Sequence, residues 1–459
     1  MKKKHAGVMD MTSGNPYKLI LIFSLPLLVG NIFQQLYNMV DSIVVGNVGE
    51  KALAAVSTGF PIIFGLSSLF MGIGMGATVM ISQFYGAKDL ESIRHTVNTM
   101  YTALIVASIP LTIVGVLLSD PLLRLMQVPD DGTLEMARTY MIVIFIGIIG
   151  NLGFNLNAGI LQGFGDSRTS LLFLLIATII NIVLDLLFAA AMGMGVFGVA
   201  LATIIAQLAS WIFGIWYLKR HYAFLEIRLL KFHFKKEFFF KAMKLGIPSG
   251  LQQMLFSIGI MTMQALVNGY GSLFMAGFSG ANKIDSFAFM PIQSFATAMT
   301  TYTGQNVGAS RMDRVKQGTR AGLVLAIVCS LVLGFGIYPF GGFLMRMFNQ
   351  NPEVIAAGEV YLRSVLPFYA LLGIQFIYTA VLRGAGEMII PMVSSFVSLW
   401  LARIPVAYIL AATLGRDSIY FSYAAGWLLG VIIAFVSYKR GKWKTKAVIV
   451  RPQNAESPT

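Results

Sequence analysis

The sequence predicts an all-α polytopic membrane protein, with about twelve transmembrane helices arranged as two parallel six-helix repeats. Three observations predict it. Hydrophobic residues fill 56% of the 459 positions and charged residues only 12%, against roughly 25% charged in soluble domains. Apolar segments of bilayer-spanning length, about 20 residues, recur from end to end. The two halves of the chain also align on one another. Together these exclude a soluble enzyme with a hydrophilic shell, and they exclude intrinsic disorder, which needs low hydrophobicity.

The first half carries apolar spans at 17–45, 52–84, 96–118, 138–162, 169–191 and 195–218. The second carries 243–268, 273–306, 319–343, 358–382, 389–412 and 418–438. Pro26, Pro61, Pro110, Pro248, Pro291 and Pro405 lie in or near these spans; a bundle tolerates them because neighbouring helices satisfy the freed backbone groups. Lys2, Lys3 and Lys4 precede a long first helix without an A-x-A-like site, so that helix is expected to be a retained signal-anchor.

Charge placement predicts orientation. With the N terminus in the cytoplasm and an even number of spans, about 26 of the 34 Lys and Arg fall on the inside, as the positive-inside rule requires. The outside keeps a handful, among them Lys51, Arg124, Arg346 and Arg416, and the acidic 120–135 loop. The net charge of +14 is therefore loop charge, and nucleic acid is not an expected partner. The basic, Phe-rich stretch 219–242 reads as an interfacial linker between an N-lobe (1–218) and a C-lobe (243–440), with 441–459 as a cytoplasmic tail. The single cysteine, Cys329, excludes an internal disulfide and a zinc cluster. His5, His95, His221 and His233 show no metal-ligand spacing.

A shift of 222 residues places Pro26 on Pro248, Gly49 on Gly271, Thr78 on Thr300, Gln83 on Gln305, Gly86 on Gly308 and Ala87 on Ala309. A shift of 221 places the run Leu161 to Asp166 on Leu382 to Glu387. Six spans per half make the repeat parallel, as in transporters that rock about a central site.

The repeat fails at its polar residues. Asp41 in the first span falls on Met263, Asn181 and Asp185 in the fifth fall on Ala402 and Val406, and Thr203 in the sixth falls on Tyr423. At about 1.5 Å rise per residue, all four first-half residues lie in the outer half of the bundle. An intramembrane carboxylate needs a partner, and no Lys or Arg lies at that depth in the first six spans. A proton or small cation remains, and hard oxygens from Asp, Asn and Thr suit Na+. The four residues are thus the expected cation-coupling site, for H+ or Na+. Asp285 follows Lys283, and Glu359 precedes Arg363; local pairing and a second-half polar cavity are both open. Arg403 has no partner in sequence, and Asp285 is a candidate.

The runs Pro26 to Asp41, Gln83 to Ala87, Leu161 to Asp166, Asn181 to Asp185, Gly195 to Thr203, Gln305 to Ala309 and Leu382 to Gly386 together resemble the multidrug and toxic compound extrusion (MATE) family over essentially the whole chain. The resemblance implies two six-helix lobes in a V, exporting amphipathic or cationic compounds in exchange for Na+ or H+. The DinF-like branch carries a cation site on the first, fifth and sixth spans, which Asp41, Asn181, Asp185 and Thr203 match. The NorM-type branch uses acids on the seventh and tenth spans; 251–260 and 371–377 contain none. Gln34 and Asn157 are candidates either to contact substrate in the N-lobe or to pack helices. The 25 Met suit varied apolar ligands. The expected protein is no enzyme and has no cofactor beyond the coupling ion. It is expected to act as a monomer in the plasma (inner) membrane. A lipid-linked oligosaccharide flippase would have about fourteen spans, and a major-facilitator transporter a G-x-x-x-D-x-x-G-R-type loop that is absent here.

Overall fold

A computed structural model describes residues 8–229 and 233–449. Lys2, Lys3, Lys4 and His5, Lys231 of the linker, and 450–459 of the tail lie outside the described residues. The described chain is helical, with no strand. The first half comprises α1 (Pro16–Val48), α2 (Glu50–Gly86), α3 (Leu90–Leu125), α4 (Thr133–Ile146), α5 (Ile148–Phe164), α6 (Ser167–Asp185) and α7 (Gly195–His221). The second comprises α8 (Lys236–Asn268), α9 (Ser272–Gly308), α10 (Met312–Ile337), α11 (Gly341–Arg346), α12 (Pro352–Val365), α13 (Tyr369–Gly384), α14 (Ile389–Phe396), α15 (Ile404–Leu414) and α16 (Ser422–Arg440).

Local chemistry sets several starts. Asn15 caps α1, with Pro16 at its first position. Asp89 accepts from the Ser92 amide to cap α3, and Asp166 does the same for α6 through Thr169. Such caps satisfy amides that a helix cannot pair internally. Among the described residues ten helices, some joined across short breaks, are long and apolar enough to cross a bilayer, or eleven if the pair α4–α5, bent by 53°, counts as one span. α9 is 37 residues long, and its Asn282, Lys283, Asp285 and Gln305 make it more polar than these helices. It is the repeat partner of α2. Two spans are interrupted by widened π-helical turns, at Leu186–Ala191 after α6 and at Val397–Arg403 between α14 and α15. Such turns concentrate at functional positions. Outward faces are apolar, as at Leu117 and Phe335, each more than two-thirds exposed, which suits lipid rather than water.

The halves meet most extensively where α2 crosses α8. Gly72 and Gly76 face Gly246 and Gly250, so that a Cβ at Gly250 would lie 2.6 Å from the Leu69 Cα. Paired G-x-x-x-G stretches let membrane helices approach to backbone contact. The linker is fastened to the first half: the Asn98 amide donates to the Leu225 carbonyl at 2.8 Å, and Tyr222 stacks on Phe164. Among the described residues, hydrogen bonds between the lobes run from the end bearing the termini to a mid-depth contact, Asn31 to Ser294 at 3.2 Å. Among the described residues none joins them in the opposite half.

Candidate ion-binding site

The four residues at which the repeat fails come together in the first half. Asp41 lies on α1, seven residues before its end. Asn181 and Asp185, four apart, share one face of α6. Thr203 lies two turns into α7. Asn181, Asp185 and Thr203 are buried, Asp185 completely. The Asn181 amide donates to the Thr203 hydroxyl at 3.5 Å, and that hydroxyl donates to the Val199 carbonyl at 3.0 Å. The Asp41 and Asp185 carboxyls lie close enough to act on one another electrostatically.

The electrostatics are one-sided. Asp41 Oδ1, Asn181 Oδ1 and both Asp185 oxygens are buried with no donor, and no basic side chain pairs with either carboxyl among the described residues. Leaving such groups unmet costs about 1–3 kcal/mol each, and more when charged. A set of converging acceptors without donors fits a proton shared between carboxyls or a small hard cation. Among the described residues no group of three or more His, Cys, Asp or Glu is placed to hold a metal ion; two carboxylates with neutral oxygens form a different donor set.

Two residues of the cluster escaped sequence reasoning. Tyr37, one turn before Asp41, lies near Thr203 and close enough to both carboxyls to interact electrostatically. Its i−4 spacing from Asp41 was the available signal. Tyr140 on α4, nearly fully buried in the apolar cluster with Val44 and Ala189, lies within electrostatic range of Tyr37, Asp41 and Asp185, and no local pattern marks it.

The substrate candidates separate. Gln34 is exposed on α1, two turns before Asp41 and on the same face. Asn157 does not reach an open cavity. It is completely buried, accepts from the Tyr101 hydroxyl and donates to the Trp211 carbonyl at 3.0 Å. It ties α3, α5 and α7 together, so its polar groups are already satisfied by helix packing. A cavity of about 290 Å³ opens elsewhere, between α2, α3 and α5 of the first half and α8 of the second, lined by Met71, Met75, Met100, Met243, Phe239 and Gln162 among others.

In the second half, Asp285 does not pair with Lys283, whose amine lies over the Phe348 ring. Asp285 instead accepts from the Tyr369 hydroxyl. Tyr361 donates to Tyr423 at 3.4 Å, and the Arg403 guanidinium lies 3.2 Å from the Tyr423 ring centre. Gly426 leaves room for the Arg403 stem, whose Cβ would lie 3.0 Å from a Cβ placed there. Arg403 acts on Asp285 electrostatically, without a direct ion pair within 4.0 Å. Glu359 pairs with Arg363.

The MatE family model matches residues 26–187 and 248–409, one copy in each half. The probable multidrug resistance protein YpnP of Bacillus subtilis is 33% identical over 95% of this chain and 97% of its own length. The probable multidrug resistance protein NorM of Thermotoga maritima is 26% identical over 96% of both, and a FAD transporter of Shewanella oneidensis is 23% identical over 89% of this chain and 90% of its own. A solved multidrug resistance MATE family transporter in its outward-facing conformation superposes with a TM-score of 0.89, at 26% identity, over 97% of this chain and 99% of that one. Two copies of the family's unit, a full-length match to named multidrug resistance proteins and the shared two-lobed fold place this chain in the MatE family, as a multi-pass membrane efflux transporter and not an enzyme.

Proposed function

We propose that the chain exports amphipathic or cationic small molecules by antiport against H+ or Na+, with Asp41, Asn181, Asp185 and Thr203 as the coupling site and Tyr37 beside them. The observation that carries this reading is the set of buried acceptor oxygens with no donor. With the cleft open on the outer side, Asp41 and Asp185 take up the ion, which neutralises the cluster and weakens its hold on a cationic substrate. Facing inward, release of the ion restores the charge. Coupling of this kind requires that the two binding free energies interact, and Gln34 on the same face of α1 is placed to contact the substrate. The Met-lined cavity supports a preference for apolar groups.

In this reading both termini are cytoplasmic, the N-lobe (1–218) holds the ion, the linker spans 219–242, and the C-lobe (243–440) precedes the tail. The protein works as a monomer in the plasma membrane. The expected twelve spans favour it over a fourteen-span oligosaccharide flippase of the same superfamily. Efflux from proteoliposomes, with pH and Na+ gradients imposed separately, tests the reading. The gradient of the coupling ion, H+ or Na+, should drive export in the native protein when imposed alone. Asp185→Asn should abolish driven export while the protein still folds, and full export by that variant would refute the proposal.

A further inference from the structure

The repeated motifs around Gln83 and Gln305 take no part in the ion site, yet both side chains are completely buried. Each lies at the end of its helix nearest the termini, α2 for Gln83 and α9 for Gln305. Each reaches into the opposite lobe. The Gln83 amide donates to the Gly384 carbonyl at 2.9 Å, and the Gln305 amide donates to the Gly163 carbonyl at 3.5 Å. Gly163 and Gly384 are themselves repeat partners, so the two repeated motifs interlock crosswise.

The other half of each amide holds a terminal segment. Gln83 Oε1 accepts from the Val448 N–H at 2.7 Å, and Gln305 Oε1 accepts from the Met11 N–H at 2.9 Å. The segments are stitched again nearby. The Met9 N–H donates to the Gly165 carbonyl at 3.2 Å, while Lys446 lies against Gly386 and its amine approaches Glu387. Gly165 and Gly386 hold left-handed φ of 87° and 94°, and a side chain on either would meet the backbone of the segment crossing it. Gly86 and Gly308 are required for the same closeness, because a Cβ on either would overlap the carbonyl of the opposite glutamine. The N-terminal segment has further anchors: Asn306 donates to the Met11 carbonyl at 3.1 Å and Arg314 to the Gly14 carbonyl at 2.9 Å.

We propose that Gln83 and Gln305 are the paired gate residues of this transporter. Each joins three pieces with one amide: its own helix, a glycine carbonyl of the opposite lobe, and a terminal segment. Separating the lobes at this end breaks both sets together, exchanging well-placed hydrogen bonds and close backbone packing for water, so the closed end resists opening until the transport cycle drives it. They are positioning residues, acting on lobe geometry rather than on substrate. The inference rests on the transporter reading for its role in the cycle, but it is read out without ion or drug.

The test is the distance between spin labels across that end, at Glu91→Cys on α3 and Lys316→Cys on α10, in a Cys329→Ser background of the full chain. Gln83→Ala should raise the open-to-closed ratio about tenfold, since it removes two hydrogen bonds. Gln305→Ala should raise it about threefold, because its cross-lobe bond is longer and Arg314 still holds the N-terminal segment. The double variant should multiply the two effects. An unchanged distribution in a folded double variant would overturn the proposal, as would lowered melting without widening. If the double variant does not fold, Gln83→Glu replaces the donor to Gly384 with a carboxyl oxygen, and Val448→Pro removes the N–H of the C-terminal segment. Each should widen the distribution, and failure of both to do so also overturns it. Repeating the measurement with Asp185→Asn separates the two proposals: the gate effect persists there whether or not the ion reading holds.

Discussion

Asp41 and Asp185 lie close together across α1 and α6, with neutral oxygens around them and no basic partner among the described residues. In the other lobe the position of Thr203 is taken by Tyr423, and Arg403 lies against that ring. Asp285 there receives a hydrogen bond from Tyr369 and feels the Arg403 charge. Both lobes widen their fifth span with a π-helical turn beside the charged residue, after Asp185 in one and ending at Arg403 in the other. The helices kept their places while the source of positive charge changed. The second lobe carries its cation covalently, on Arg403. The first shows no basic partner for its carboxyls among the described residues, as the proposed exchangeable ion requires.

The largest expected effect breaks this comparison directly. Asp185→Asn should abolish gradient-driven export, whereas Asp285→Asn should leave it within about twofold, because the Arg403 charge sits over an aromatic face rather than in a direct ion pair. Equal loss in both variants, measured in proteoliposomes, would mean that the lobes share the ion chemistry. Next in size, Asn157→Ala should destabilise the protein by about 1–3 kcal/mol, since it strands Tyr101 and the Trp211 carbonyl, while ion affinity stays unchanged. Thermal unfolding followed with and without the coupling ion checks this, and a selective change in drug affinity would return Asn157 to the substrate site. The smallest effect should come from Tyr37→Phe. Removing one hydroxyl contact at the cluster should weaken ion binding about three- to tenfold, from roughly 1 kcal/mol per hydrogen bond, as read by ion titration of the purified protein. No change there would leave the cluster to the four residues at which the repeat fails.

Much of this was legible along the chain. Asp41, Asn181, Asp185 and Thr203 stood out because each replaces an apolar or aromatic repeat partner at one depth, and the cost of burying a carboxylate holds wherever the bilayer is. Asn157 was ambiguous because its neighbours Tyr101 and Trp211 are 56 and 54 residues away. Tyr140 was invisible for the same reason. Lys283 looked like the partner of Asp285 from spacing alone, yet two residues apart on a helix point to different faces.

Composition, hydropathy and the repeat by themselves determined the membrane setting, the spans, the two-lobed plan and the lobe that holds the unmatched carboxyls. These follow from desolvation, which acts on each segment locally. Tertiary structure alone decided which oxygens converge without donors, that Arg403 stacks on Tyr423, that four glycines bring α2 onto α8, and that Gln83 and Gln305 lock crosswise onto the opposite lobe. Those depend on directional contacts between residues far apart in the chain, some separated by 301 positions. Hydrogen bonds and close packing have a geometry that no one-dimensional pattern encodes.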